Sequence, residues 1–201
     1  MERIMNDVQK KIIAIAKEKG IVRAKDLIAI GIQRTALAYL AKKGVFRKVA
    51  RGAYILEDQI FSVETFISAL AAVPHGVICL LSALQYHEIT TQMPMETWVA
   101  IERDKTVPQA KPPSIRIVKM SGSTFSEGIE IQTTDKINIR IYSPAKTIAD
   151  CFKFRNKIGL DIAREALIDC LEQQKATRDE IYHHAKLCRV ARVIRPYLEM
   201  T

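Results

Sequence analysis

The chain of 201 residues is sparing with cysteine, proline, glycine and tryptophan, holding 4, 7, 8 and 1 of them. Four cysteines with no C-x-x-C pair exclude a disulfide-built miniprotein. Cys79, Cys151, Cys170 and Cys188 each sit in an apolar helical run, so they are expected as reduced, buried, inert thiols. The low glycine and proline content excludes a collagen-like chain. Neither G-x-x-x-x-G-K-[ST] nor G-x-G-x-x-G occurs, so a nucleotide cradle is not indicated. Phe66–Leu84 lacks formal charge over membrane-span length. Pro74-His75-Gly76 breaks that run, and Ser68 and Ser82 interrupt it. Two buried helices fit it better than a span. Met1–Lys11 is polar with no apolar run behind it, so no secretory leader and a cytoplasmic location are expected.

What is present is an ordinary globular balance, 48 % hydrophobic and 26 % charged residues, which excludes disorder. The formal net charge is +9, and it is unevenly spread. Residues 1–58 hold 13 Lys/Arg against 6 Asp/Glu, while the rest of the chain holds 18 against 16. Such asymmetry points to one basic binding module, with an anionic partner, joined to a nearly neutral body. The expected division is residues 1–58 and 61–201, with a junction near Glu57–Ile60.

Within the first segment Val8, Ile12, Ile15 and Ala16 recur at helical spacing up to Gly20. A short β-prone run, Ile21–Arg23, follows, then a helix over Ala24–Ile30. Gly31 breaks that helix, and a third runs from about Gln33 to Lys43, with Gly44 suited to its left-handed end. Val45–Val49 and Ala53–Leu56 read as strands around a turn at Ala50–Gly52. This is the order of a winged helix-turn-helix. The fold class expected for the whole chain is α+β, with a mixed α/β C-terminal domain holding a small sheet and terminal helices.

In a helix-turn-helix the last helix enters the major groove. Leu37 and Leu40 are its inward positions; Thr35, Ala38, Tyr39 and Lys42 lie opposite. Gln33 and Arg34 stand at its start, where Gln suits adenine and Arg suits guanine. Lys42 and Lys43 suit phosphates. Arg47, Lys48 and Arg51 are expected on or near the hairpin tip. The plain alternative is a solvated basic face.

In the second segment Thr97–Ile101, Ser114–Met120, Gly128–Gln132 and Ile137–Tyr142 read as strands. Phe61–Val73 and Val77–His87 read as helices, and Ser121–Ser123 as a turn. Ser143-Pro144 opens a helix to about Phe154, with Ser as its cap. Further helices are expected over Leu160–Gln174 and Arg178–Tyr197, the last begun by Thr177 and Glu180 at capping-box spacing. Lys146, Thr147 and Asp150 fall on the expected polar side of the Pro144 helix, as a structural pair or a surface patch. His184 and Cys188 are four apart, but two further metal ligands are not evident. Glu102-Arg103-Asp104-Lys105 has the wrong spacing for a nuclease acid set. Lys186, Arg189, Arg192 and Arg195 make the last helix basic, either as dipole-favoured residues or as a second anion-binding surface.

The ordered set Asp26-Leu27, Gly31-Ile32, Leu37, Leu40, Gly44 and Arg51-Gly52-Ala53-Tyr54 resembles the N-terminal domain of AbiEi-type antitoxins, the regulator halves of type IV toxin–antitoxin pairs. Leu80–Leu84 with Tyr86-His87, Trp98–Ile101 and Ser143–Asp150 are similar to segments of the same family. The resemblance spans about residues 20–195. It implies a non-enzymatic, cofactor-free DNA-binding autorepressor acting on inverted repeats in its own promoter. It also implies a C-terminal antitoxin domain that counters a nucleotidyltransferase-like toxin without a stable complex. On that reading Lys146, Thr147 and Asp150 form a candidate antitoxin surface. The competing readings are a winged-helix-guided metal-dependent nuclease and a ligand-responsive regulator.

Overall fold

The computed structural model describes residues 2–57, 64–90, 92–107, 115–134 and 137–200. It is a mixed α+β chain with two sheets. The chain forms two compact units, the first chiefly Met1–Pro74 with Thr133–Ile139, the second His75–Val107, Ser114–Gln132 and Arg140–Thr201. Apart from Glu57, the expected junction at Glu57–Ile60 lies outside the described residues, as do residues 108–114.

The first unit opens with α1 (Glu2–Lys19), β1 (Val22–Arg23), α2 (Ala24–Ile28) and α3 (Thr35–Lys42), followed by β2 (Phe46–Ala50) and β3 (Ala53–Leu56). Ile12 and Ala16 of α1, Leu27 of α2, and Leu37 and Leu40 of α3 close on Val22, Phe46 and Leu56 in one buried cluster. Each large aliphatic side chain buried there contributes about 1.5–3 kcal/mol. Gly31 and Gly44 end α2 and α3 in the left-handed conformation, at φ of 72° and 71°. The amide of Ile32 then reaches back to the Leu27 carbonyl, and that of Val45 to the Leu40 carbonyl. Both are the reversed bond that closes a helix and turns the chain sharply. The sheet has the order β1-β3-β2, antiparallel throughout, with a register shift between Lys48 and Ala50. Arg51-Gly52 makes the turn between β2 and β3.

The helix read over Phe61–Val73 is described as α4 (Glu64–Ala72) and groups with the first unit. It packs on β2. Arg47 reaches Glu64 at 2.8 Å, and Arg23 donates to the Ala71 carbonyl at 3.2 Å.

The second unit carries β4 (Val77–Ile78), α5 (Leu80–Tyr86), β5 (Thr97–Glu102), β6 (Ile115–Met120), α6 (Ser123–Ser126), the first part of β7 (Ile129–Thr134) and the end of β8 (Ile137–Tyr142). Five helices follow: α7 (Pro144–Lys153), α8 (Arg155–Ile158), α9 (Leu160–Glu172), α10 (Arg178–Leu187) and α11 (Ala191–Met200). The sheet order is β6-β5-β4-β8-β7. β4 runs antiparallel to β5 and parallel to β8, and β5 runs parallel to β6. Helix α7 lies at the centre of the helical layer, with α5, α9, α10 and α11 packed around it. Ser143 caps it, accepting from the Lys146 amide. Thr177 and Glu180 form the capping box of α10.

Three local expectations change. Val77-Ile78 is a strand rather than the start of a helix, because it is held between β5 and β8. Ser123 opens a short helix instead of finishing a turn. The single terminal helix is two, broken where Arg189 adopts φ 59°. The Cys188 amide reaches the His184 carbonyl there, and the Val190 amide reaches that of Ala185. The break lets Ile181 and Ala185 of α10, and Ile194 and Leu198 of α11, all join the core around α7. Among the described residues no helix is long and apolar enough to cross a membrane. The charge-free stretch is divided among α4, β4 and α5.

Candidate nucleic-acid interface

The spacing of Leu37 and Leu40 decides which way α3 faces. Both are buried, and the opposite side of the helix is therefore turned outward. Gln33, Arg34, Thr35, Ala38, Tyr39, Lys42 and Lys43 are all exposed. Tyr39, 44 % exposed, is large for an outward apolar ring, and the Lys43 ammonium lies 5.6 Å from its centroid. On the hairpin Lys48 and Arg51 are exposed as well. Among the described residues no carboxylate lies within salt-bridge distance of Arg34, Lys42, Lys43, Lys48 or Arg51.

Two other cations of this unit are neutralised inside it. Lys19 pairs with Asp26 at 2.7 Å. Asp26 also accepts from the Arg23 amide at 2.8 Å, at the start of α2. Partial burial pushes its carboxyl up. The Lys19 hydrogen bond, the Arg23 amide and the nearby lysine charges outweigh that and hold it below the usual carboxylate value. Arg47 departs from expectation. It sits in β2 seven residues before Tyr54 rather than at the turn, is half-buried, and is held by Glu64 at 2.8 Å and Glu57 at 3.8 Å. Its charge is spent on tying α4 to the sheet.

The second expected set, Lys146, Thr147 and Asp150, is not a surface. All three are 0 % exposed. The expectation put them on the polar side of an amphipathic helix, but α7 is covered on every side by its neighbours. The Lys146 ammonium donates to Asp150 Oδ2 at 2.5 Å and lies 4.2 Å from the centroid of the Tyr142 ring. The Cys188 thiol donates to Asp150 Oδ1 at 3.2 Å, and the Thr147 hydroxyl donates to the Tyr142 carbonyl at 3.3 Å. Tyr142 in turn gives its hydroxyl proton to the Phe125 carbonyl at 2.8 Å. Burial pushes the Asp150 carboxyl above its usual range, against the pull of Lys146 and the Cys188 hydrogen bond. Burial likewise raises the Cys188 thiol to about 12.

Gly128, at φ 72°, lets the chain pass directly over the Lys146 stem. Tyr142, Gly128 and Cys188 are therefore members of this network that sequence reasoning missed. Only the His184–Cys188 spacing drew notice, and it pointed to a metal. Cys188 instead faces Asp150, and His184 lies against Gly128. Among the described residues no group of three or more His, Cys, Asp and Glu side chains is placed to hold a metal ion. All four cysteines are buried and free.

No curated protein matches the chain. Residues 10–56, which hold most of α1, the α2–α3 pair and both strands of the hairpin, match the family described as transcriptional regulator, AbiEi antitoxin.

Proposed function

We propose that the leading unit is a winged helix-turn-helix that binds duplex operator DNA, and that the whole chain is an autorepressing antitoxin of a type IV pair. Supporting this reading above all is the outward face of α3, where Arg34, Lys42 and Lys43 have no carboxylate partner among the described residues. Gln33, Arg34, Thr35 and Tyr39 read base edges; Lys42 and Lys43, with Lys48 and Arg51 on the wing, hold phosphates. Arg47 is reassigned to the interior of the unit. The operator is an inverted repeat in the promoter of the chain's own operon. Residues 61–201 supply the antitoxin domain. They counter a nucleotidyltransferase-like toxin without a stable complex, catalysis or a cofactor, and the protein works in the cytoplasm. Lys146, Thr147 and Asp150 support this domain from within.

A mobility shift on the chain's own upstream region tests the reading. Arg34→Ala with Lys42→Ala is expected to weaken binding at least tenfold and to flatten its salt dependence. Removing one cation that neutralises a phosphate lowers the log–log slope by about 0.9. An affinity and a salt slope both unchanged in that variant would overturn the assignment.

A further inference from the structure

The helix break at Arg189 changes what the C-terminal cations can do. Between Glu180 and Glu199 the chain has no carboxylate, but it has Lys186, Arg189, Arg192 and Arg195. All four are exposed. In one long helix they would be the favourable basic end of a helix dipole. In two helices that account covers Lys186, in the last turn of α10, and fails for Arg192. Arg192 is the second residue of α11 and stands at its positive end. Only Arg195 has a partner carboxylate, Glu199 at 2.7 Å; among the described residues none lies within salt-bridge distance of Lys186, Arg189 or Arg192.

Helix α10 also carries an aromatic ring on this side: the Lys186 ammonium lies 4.7 Å from the Tyr182 centroid. Tyr182 is half-buried, so one side of it belongs to the outer surface. Ile181, Ala185, Ile194 and Leu198 hold the inner sides of both helices in the core. The outer sides of both helices, with their cations, are left facing solvent. A basic face fixed to the body of a domain, with a ring beside one of its cations, suits a flexible strand. The cations track the phosphates and an unpaired base stacks on the ring. In a cell an unpaired strand is overwhelmingly RNA.

We propose that the outer face of α10 and α11 is a binding surface for single-stranded RNA, separate from the duplex-binding face of α3. The full chain is titrated into a fluorescent 15-nucleotide oligouridylate across a salt series, with the matching oligodeoxythymidylate and a random duplex as further arms. The variant is Lys186→Gln, Arg189→Gly, Arg192→Gln; the glycine suits the left-handed backbone at that position, so the fold is kept, as a matched melting curve verifies. The expected result is a loss of at least tenfold in oligouridylate affinity. Taking away three phosphate-neutralising cations should lower the salt slope by about 2, with operator binding retained. Tyr182→Leu should weaken the single strands and leave the duplex arm unmoved. Binding of oligodeoxythymidylate as tightly as RNA supports an unpaired-strand site. The proposal is overturned if the triple variant binds RNA like the wild type. It is also overturned if the duplex is preferred, or if only the Arg34→Ala, Lys42→Ala protein loses RNA binding. Because the operator and RNA are separate arms, failure of one reading leaves the other standing.

Discussion

Replacing Lys146 by Met removes one partner of a fully enclosed ion pair and leaves the Asp150 carboxylate among apolar neighbours. If the pair were the exposed i,i+4 contact that its spacing suggests, the loss would be a few tenths of a kcal/mol. Both side chains are instead shut away from water, 2.5 Å apart, with the second carboxylate oxygen facing the Cys188 thiol. Breaking a buried pair costs about 3–5 kcal/mol, because the remaining charge is uncompensated. The two outcomes differ by roughly tenfold, so one measurement separates them. Trp98, the only tryptophan, is buried in the second unit and reports on its unfolding. Urea titration of the full chain followed by Trp98 fluorescence should show Lys146→Met losing about 3–5 kcal/mol. The double variant Lys146→Met, Asp150→Leu removes both charges and should recover most of the loss. A single variant within about 1 kcal/mol of the wild type by the exposed-pair estimate would refute the argument.

Two more outcomes follow from the geometry. Gly128→Ala places a Cβ 2.7 Å from Lys146 Cβ, in a left-handed backbone; it should cost about 2–4 kcal/mol from strain and overpacking together, read by the same fluorescence transition. In the first unit Asp26→Ala removes the acceptor for the Arg23 amide at the start of α2 and should cost about 1 kcal/mol, seen as faster amide exchange across α2. Since the folded state holds the Asp26 carboxyl below its ordinary value, its contribution is fully present above pH 4 and is lost as the pH falls through the depressed value. The acid limb of the exchange profile should therefore flatten in the variant; an unchanged limb would show that Asp26 plays no such part.

Much of the first unit was legible in the chain itself. Leu37 and Leu40, three apart, suffice to point α3's other side outward, and Gly31 and Gly44 mark helix ends that few other residues adopt cheaply. The excess of Lys and Arg in the first 58 residues is a property of sequence alone. Local pattern has less hold where an element's partners come from far along the chain. Val77-Ile78 is too short to declare itself a strand; pairing with Val99 and Ile141 makes it one. Arg47 reads as one more wing cation until α4 brings Glu64 to within 2.8 Å.

Helix α7 states the division most sharply. Its capping serine, its first-turn proline and its length were all readable, because these depend on neighbours in sequence. That its polar side is as buried as its apolar side was not readable, because burial is conferred by α5, α9, α10 and α11 folding around it. Periodicity tells which residues share a face, and packing alone tells whether that face meets water. Sequence thus determined the order of elements in the first unit, the start of α7 and where the charge was concentrated. Tertiary structure decided that Lys146 and Asp150 are an internal brace, and that the C-terminal cations stand on two helices rather than at the end of one.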